Sequence, residues 1–146
     1  MITVRAVKTA DRAEYVRMRS ALWPDADVAE LDAEVEQILV DPDQPVFVAE
    51  RGGGGLCGMV EARVRAFANG VDEAPCAFVE GWWVDEDIRR TGIGRDLIAQ
   101  VEDWARSRGF HELGSDAELN NTVSHRAHAA LGFEERERVV CYRKLL

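Results

Sequence analysis

The segment from Arg89 to Gly94, RRTGIG, combines positive charge with two glycines two positions apart. It precedes a run with helical spacing of apolar residues, so the glycines stand at a helix start. The first N–H groups of a helix lack partners within it and favour a bound anion. Glycine lets an anion approach closely, and Arg89, Arg90 and Arg95 add charge. By spacing alone, an anion site and a helix start with solvated arginines are equal alternatives, and the Lys-Ser/Thr pair of a P-loop is absent.

A carboxylate interrupts an otherwise apolar strand just before this loop. Glu80 lies in FVEGWWV, whose aromatic and β-branched residues predict a central strand. A charge in such a position is costly unless it has a purpose, and a carboxylate can bind an amine's cation or accept its proton. Gly81, an isolated glycine inside this strand, is predicted to mark a β-bulge.

The elements that position these residues follow from periodicity along the chain. The predicted order is β-α-α-β-β-β-α-β-α-β over one domain of residues 1–146, a mixed α/β fold rather than a doubly wound sheet. Asp27 is the predicted N-cap of the second helix, and Gly109 is predicted to follow the end of the third. The last strand is predicted over ERVVCYRKLL.

Composition limits the partners that this chain can have. With 27 Asp and Glu against 18 Lys and Arg, the net charge of -9 opposes nucleic acid and acidic membranes and attracts cations. No signal peptide and no run of about 18 apolar residues is present, so a soluble, cytoplasmic protein is expected. Cys57, Cys76 and Cys141 are far apart and form no CxxC pair, which predicts buried thiols without a disulfide or a metal site.

Two motifs carry a resemblance to a known family. RRTGIG, after a strand ending at Val84, resembles the Gln/Arg-x-x-Gly-x-Gly/Ala signature of the GCN5-related N-acetyltransferase (GNAT) superfamily, and NTVSHRAHAALGF resembles its second motif. The resemblance implies acetyl-coenzyme A as the acetyl donor, with its pyrophosphate on the loop and its pantetheine arm along the preceding strand. The implied cofactor residues are Trp82, Trp83, Val84, Arg89, Arg90, Thr91, Gly92, Ile93, Gly94, Arg95, Asn121 and Ser124.

Within that superfamily, RSALWP, FVEGWWV, SDAELNNTVSHRAHAALGFEE and ERVVCYRK are similar to aminoglycoside 6′-N-acetyltransferases, enzymes of antibiotic resistance. This resemblance implies substrate contacts from Trp23, Glu80, Asp116 and Glu137. Phe67 lies at a position that often bears an aromatic residue in the family, and it lacks a hydroxyl. Relatives of this kind are commonly dimers, so a homodimer is expected.

The predicted reaction is direct attack of the 6′-amine on the thioester within a ternary complex. Glu80 is the candidate base, with Asp116 as an alternative. His128 stands where much of the superfamily has a tyrosine acid, and Tyr142 is a second candidate acid. Two alternatives remain: acetylation of a polyamine or another cellular amine, and a coenzyme A-binding sensor without catalysis.

Overall fold

The computed structural model describes residues 1–146. Five strands form one sheet in the order β1-β2-β3-β4-β5. They are β1 (Ile2–Ala6), β2 (Val46–Arg51), β3 (Leu56–Arg65), β4 (Cys76–Val84) and β5 (Leu113–Ser115). The helices are α1 (Arg12–Leu22), α2 (Val28–Ile38), α3 (Ile93–Ser107) and α4 (Thr122–Ala130). The first four strands are antiparallel and β5 runs parallel to β4, which confirms the mixed α/β class.

Helices cover both faces of this sheet. Tyr15 of α1 and Val35 of α2 pack in one core cluster with Val48 of β2. Ala49, the next residue of β2, packs in the other cluster with Leu97 of α3. Because successive strand residues point to opposite faces, α1 and α2 lie on one side of the sheet and α3 on the other.

Strand β4 contains the predicted bulge, and Glu80 is the bulged residue. In the register with β3, Glu61 is opposite Gly81 and Ala62 is opposite Val79, so Glu80 has no residue opposite it. An extra residue of this kind bends the strand and changes the direction of its side chains.

The bulge alters which face each side chain of β4 occupies. Val79 and Trp82, three positions apart, both pack on the α3 side. Gly81 faces α1 instead, where an added Cβ would lie 2.8 Å from Cη2 of Trp23. Glu80 lines the same cavity as Trp23. The bulge therefore turns two consecutive residues, Glu80 and Gly81, toward the α1 side.

The sheet also opens at this point. Strand β5 pairs with β4 only from Ala77 to Val79. Beyond Val79, β4 continues to Val84 with β3 on one side and no strand on the other. The result is the open strand edge that the family resemblance implied.

The local signals at helix ends are confirmed. The Oδ1 of Asp27 accepts hydrogen bonds from the backbone N–H groups of Ala29 at 2.8 Å and Glu30 at 3.2 Å. Gly109, shortly after α3, has a φ of 85°. None of the helices combines the length and the apolar character needed to span a bilayer.

The predicted last strand is not formed within the chain. Residues 134–146, the C-terminal arm, contain no helix or strand, and every one of them is exposed. Cys141 lies in the arm and is exposed, so the expectation of a buried thiol was wrong there, whereas Cys57 and Cys76 are buried. The β-branched and aromatic residues of ERVVCYRKLL favour an extended segment, but a strand also requires a partner, and the arm pairs with no strand of its own chain.

Candidate active site

The loop before α3 presents a row of unpaired backbone donors. None of the six N–H groups from Arg90 to Arg95 donates a hydrogen bond within the chain. The first paired amide is that of Asp96, which donates to the carbonyl of Gly92 at 3.0 Å. Six consecutive free donors at the start of a helix form a concave site suited to a phosphate or pyrophosphate. This arrangement fits the phosphate end of acetyl-coenzyme A.

Backbone geometry produces this row of donors. Arg90 has a φ of 63° and Gly92 a φ of 93°, which turn the loop back on itself before the helix begins at Ile93. A Cβ added at Gly92 would meet no other atom within 4 Å, so the space in front of the loop is open. The side chain of Arg89 contacts β4 rather than the space in front of the loop. Its Nε donates to the carbonyl of Val84 at 2.9 Å, and its guanidinium lies over Trp83.

The indole of Trp82 lies between the loop and α4. A Cβ on Gly94 would be 3.0 Å from Cζ2 of Trp82, so glycine is needed there for the two to pack. The ring of Trp82 meets His128 edge to face, with centroids 5.6 Å apart. Its Nε1 is buried without a hydrogen-bond partner. Trp82 and His128 therefore lie together beside the opening between β4 and β5.

His128 is held by two serines. Its Nδ1 is 2.7 Å from the carbonyl oxygen of Ser124, and its Nε2 is 2.7 Å from Oγ of Ser115 at the end of β5. Because a carbonyl can only accept, the proton of the neutral ring is assigned to Nδ1, and Nε2 then accepts from Ser115. Asn121 caps α4 by accepting from the N–H of Ser124 at 3.1 Å. Asn121 and Ser124, both predicted cofactor residues, thus have structural contacts of their own.

The carboxylate of Glu80 forms a two-point ion pair with Arg65. Nε and Nη2 of Arg65 lie 2.6 and 2.7 Å from the two oxygens of Glu80. The same guanidinium stacks on Phe78, 3.7 Å from the ring centroid. The hydrogen bonds to Glu80 raise the pKa of Arg65, and the negative charge of Asp116 acts in the same direction. A permanent cation thus occupies Glu80 and lies close to Asp116.

A cavity of about 510 Å³ opens between α1, α2 and the bulged part of the sheet. Its lining contains three carboxylates, from Glu34, Glu61 and Glu80, together with the indole of Trp23. The guanidinium of Arg19 lies 5.1 Å from the ring of Trp23. A half-buried aromatic wall with several carboxylates suits a sugar that carries ammonium groups.

The structure brings together only part of the predicted substrate site. Trp23 and Glu80 share this cavity. Phe67 is 75% exposed and borders a smaller, separate pocket. Glu137 and Tyr142 lie in the C-terminal arm, outside both pockets, and Tyr142 is 91% exposed.

Sequence reasoning missed two of the charged side chains around Glu80. Glu61 and Arg65 lie on β3 at positions of the same parity, and both are polar in a strand whose neighbours are apolar. The alternation of EARVR carried this signal, because charged residues at every second position mark one polar face of a strand. No group of three His, Cys, Asp or Glu side chains is arranged to hold a metal ion.

Comparison with known families shows the family to which this fold belongs. The profile of the acetyltransferase (GNAT) family matches residues 11–133, which include the loop, the bulge and α4. The chain belongs to this family. The resemblance drawn from RRTGIG and NTVSHRAHAALGF is thereby confirmed, and so is acetyl-coenzyme A as the donor that the family uses.

Individual relatives match over nearly the whole chain. An aminoglycoside N(6′)-acetyltransferase type 1 from Stenotrophomonas maltophilia is 41% identical over 142 residues, 97% of this chain and 92% of the relative. One from Serratia marcescens is 42% identical over 133 residues, 90% of this chain and 91% of the relative. The structure of AAC(6′)-Iy with the bisubstrate analogue CoA-S-monomethyl-acetylneamine superposes with a TM-score of 0.94 at 34% identity, covering 100% of this chain and 99% of the other.

Proposed function

We propose that this protein transfers the acetyl group of acetyl-coenzyme A to the 6′-amine of aminoglycosides. One observation carries the proposal: a single stretch of chain joins an anion site to a carboxylate cavity. The bulge at Glu80 faces the cavity, and the six free N–H groups begin ten residues later, at Arg90. An anionic acetyl donor and a cationic acceptor can thus meet along the open edge of β4. The relatives named above support the aminoglycoside as the acceptor.

The chemistry requires removal of a proton before transfer. A primary amine has a pKa of about 10, so at neutral pH it is almost entirely an ammonium ion without a lone pair. Acetyl-coenzyme A supplies the acetyl group as a thioester, whose C–S bond breaks as the C–N bond forms. The proton of the ammonium must pass to a base, and the departing thiolate requires a proton in return.

Glu80 serves first as the binding site for the reacting ammonium. Both of its oxygens accept from Arg65 in the free protein, so the substrate cation must share Glu80 with that guanidinium or take its place. Once the ammonium lies against Glu80, the carboxylate can receive its proton directly or through water. Asp116, which is exposed beside Arg65, is the second acidic group for the same cation.

His128 is the proposed proton donor to the thiolate. Its neutral ring carries the proton on Nδ1, toward the carbonyl of Ser124. Delivery toward the opening of the sheet, directly or through the hydroxyl of Ser115, therefore requires the doubly protonated ring, which holds a proton on Nε2. Tyr142 lies on the exposed arm and contacts none of these groups in its own chain, so His128 is preferred as the donor.

We also propose that the protein is a homodimer joined by the C-terminal arm. The arm exposes apolar side chains that a lone chain leaves in water: Val139, Val140, Tyr142, Leu145 and Leu146. AAC(6′)-Iy superposes over 100% of this chain, so its structure includes the counterpart of the arm. A second copy is the proposed occupant, because an extended segment rich in β-branched and aromatic residues can pair with the open edge of β4 or β5 in its partner. Light scattering should give twice the 16.3 kDa of one chain, and a monomer at micromolar concentration would contradict this.

The function is tested by release of coenzyme A thiol with purified protein. Two aminoglycosides that differ only in bearing a 6′-amine or a 6′-hydroxyl form the decisive pair, and spermidine represents cellular polyamines. We expect turnover only with the 6′-amine. Equal or faster turnover of spermidine would instead favour a polyamine acetyltransferase, and binding of acetyl-coenzyme A without any turnover would favour a sensor. A cytoplasmic location and the absence of nucleic-acid or membrane partners remain predictions from composition.

A further inference from the structure

Glu61 is a buried carboxylate with one oxygen left free. Its side chain is 6% exposed, on β3 beneath α1. The hydroxyl of Tyr15 and Nε of Arg19 both donate to Oε1, the latter at 2.5 Å. Oε2 accepts no hydrogen bond from any group in the chain. This atom is not fully enclosed, so part of its surface is accessible. Since Glu61 lines the cavity beside Trp23 and Glu80, the small exposed part of this side chain faces that cavity.

The ion pairs at Glu80 and Glu61 differ in how many carboxylate oxygens they use. Arg65 engages both oxygens of Glu80, whereas Arg19 divides its guanidinium among three acceptors. Nε of Arg19 donates to Glu61, and Nη1 donates at 2.9 Å both to the carbonyl of Leu31 and to Glu34. Arg19 therefore holds Glu61 at one oxygen only. Oε2 is accessible from the cavity and has no donor in the chain, so a cation entering the cavity can bind it directly.

Two of the three carboxylates of the cavity, Glu61 and Glu80, lie on neighbouring strands at nearly the same level. Glu61 is opposite Gly81, the residue that follows Glu80. Adjacent strands are about 4.8 Å apart, so a ligand with two amines on one ring or on adjoining rings can address both carboxylates. The cavity of about 510 Å³ has room for such a ligand.

We propose that Oε2 of Glu61 binds a second ammonium group of the substrate while the reacting amine lies at Glu80. This inference rests on the proposed function and extends it, because it assigns a buried cation subsite to a residue outside the predicted substrate set. Selectivity for polyamino sugars then depends on Glu61, and reactivity on Glu80. A substrate that carries a hydroxyl in place of the second amine loses the ion pair at Glu61 and keeps the contact at Glu80.

The test compares Glu61→Gln with wild-type protein on two aminoglycosides. Both carry the 6′-amine, and they differ only in a second amine or hydroxyl on the same or the adjoining ring. In wild-type protein the diamine should bind about 10–100-fold more tightly, the range for a buried hydrogen bond to a charged group. In Glu61→Gln this preference should fall to less than about 3-fold, with kcat for both substrates and KM for acetyl-coenzyme A within about 2-fold of wild type. Binding is measured by calorimetry and turnover by thiol release.

Tyr15→Phe is the matched control for loss of stability. It removes the other donor to Oε1 of Glu61 and leaves Oε2 and the charge in place. It should lower the melting temperature without changing the preference between the two substrates. A preference that survives intact in Glu61→Gln would overturn the inference while leaving the proposed function standing.

A crystal structure and calorimetric binding test the subsite if the variant does not fold or the wild-type protein shows no turnover. If Glu61→Gln does not fold, a crystal structure of wild-type protein with coenzyme A and the diamine decides. Nitrogen within hydrogen-bond distance of Oε2 supports the subsite, and water alone at Oε2 overturns it. If wild-type protein acetylates no aminoglycoside, the proposed function fails, and calorimetric binding of the two ligands still reports on Glu61.

Discussion

Replacing Gly81 by alanine tests whether the bulge positions the aromatic wall of the cavity. The new Cβ would lie 2.8 Å from Cη2 of Trp23 and 3.0 Å from Cδ2 of Leu22. Carbon atoms pack at about 3.5–4.0 Å, so the indole must move by about 1 Å. Because Trp23 is half-buried at the end of α1, it can shift into the cavity, and we expect a cost of about 1–3 kcal/mol in unfolding free energy.

The kinetic effect should exceed the effect on stability. A displacement of about 1 Å in a positioning group can cost up to about 100-fold, so kcat/KM for the aminoglycoside should fall about 10–100-fold while KM for acetyl-coenzyme A stays within about 2-fold. Gly58→Ala is the matched control on the neighbouring strand. Its Cβ would lie 3.2 Å from Leu97 Cδ1, on the α3 side and away from the cavity, so it should destabilise the fold and spare the aminoglycoside kinetics. Wild-type kinetics in a measurably destabilised Gly81→Ala protein would refute the role of Trp23 as the cavity wall.

Three other outcomes follow from the contacts above. Arg65→Met retains an apolar side chain against Phe78 and removes the cation that pairs with Glu80. KM for the aminoglycoside should therefore fall about 3–10-fold in low salt. A rise in KM would show that the guanidinium helps to bind the substrate. Gly92→Val, at a φ of 93°, should weaken acetyl-coenzyme A binding by at least about 10-fold in calorimetry, and unchanged affinity in a folded variant would reject the loop as the phosphate site. The hydrogen bond from Arg5 lowers the pKa of Asp11, so its ionised form stabilises the fold above the ordinary pKa and this stability is lost as pH falls. Asp11→Asn should therefore cost about 2 kcal/mol at pH 7, and urea unfolding should show the difference narrowing below about pH 4; a constant difference would contradict the assignment.

Local rules predicted the parts of this protein that depend on neighbouring residues. Asp27 caps α2 because its side chain can reach N–H groups only two and three positions ahead. The start of α3 uses the positive φ of Gly92, and the bulge lies beside Gly81, where there is no room for a Cβ; both glycines are visible in a single sequence. The opening between β4 and β5 came from family resemblance, and the order of strands in the sheet was not predicted, because no periodicity encodes which strands become neighbours.

Contacts between distant segments lay beyond such rules. The pair of Arg65 with Glu80 spans 15 residues and that of Arg19 with Glu61 spans 42, so neither follows from spacing along the chain. The C-terminal arm shows a different limit. Its β-branched and aromatic residues predicted a strand that the chain does not form, because a strand also needs an edge that the segment's own sequence does not contain.

The bulge at Glu80 has a consequence for how such a cavity can arise. Before the bulge, the side chain of odd-numbered Val79 faces α3. After the bulge, the side chain of even-numbered Trp82 faces α3. Deleting one residue there would restore simple alternation and rotate Trp82 and everything after it to the wrong face, including the approach to the loop. Point substitutions in an unbulged strand therefore cannot reproduce this arrangement. A relative with a regular strand would acquire the bulge through insertion of one codon. The cation site at Glu80 therefore depends on the number of residues in β4 as well as on the residue at position 80.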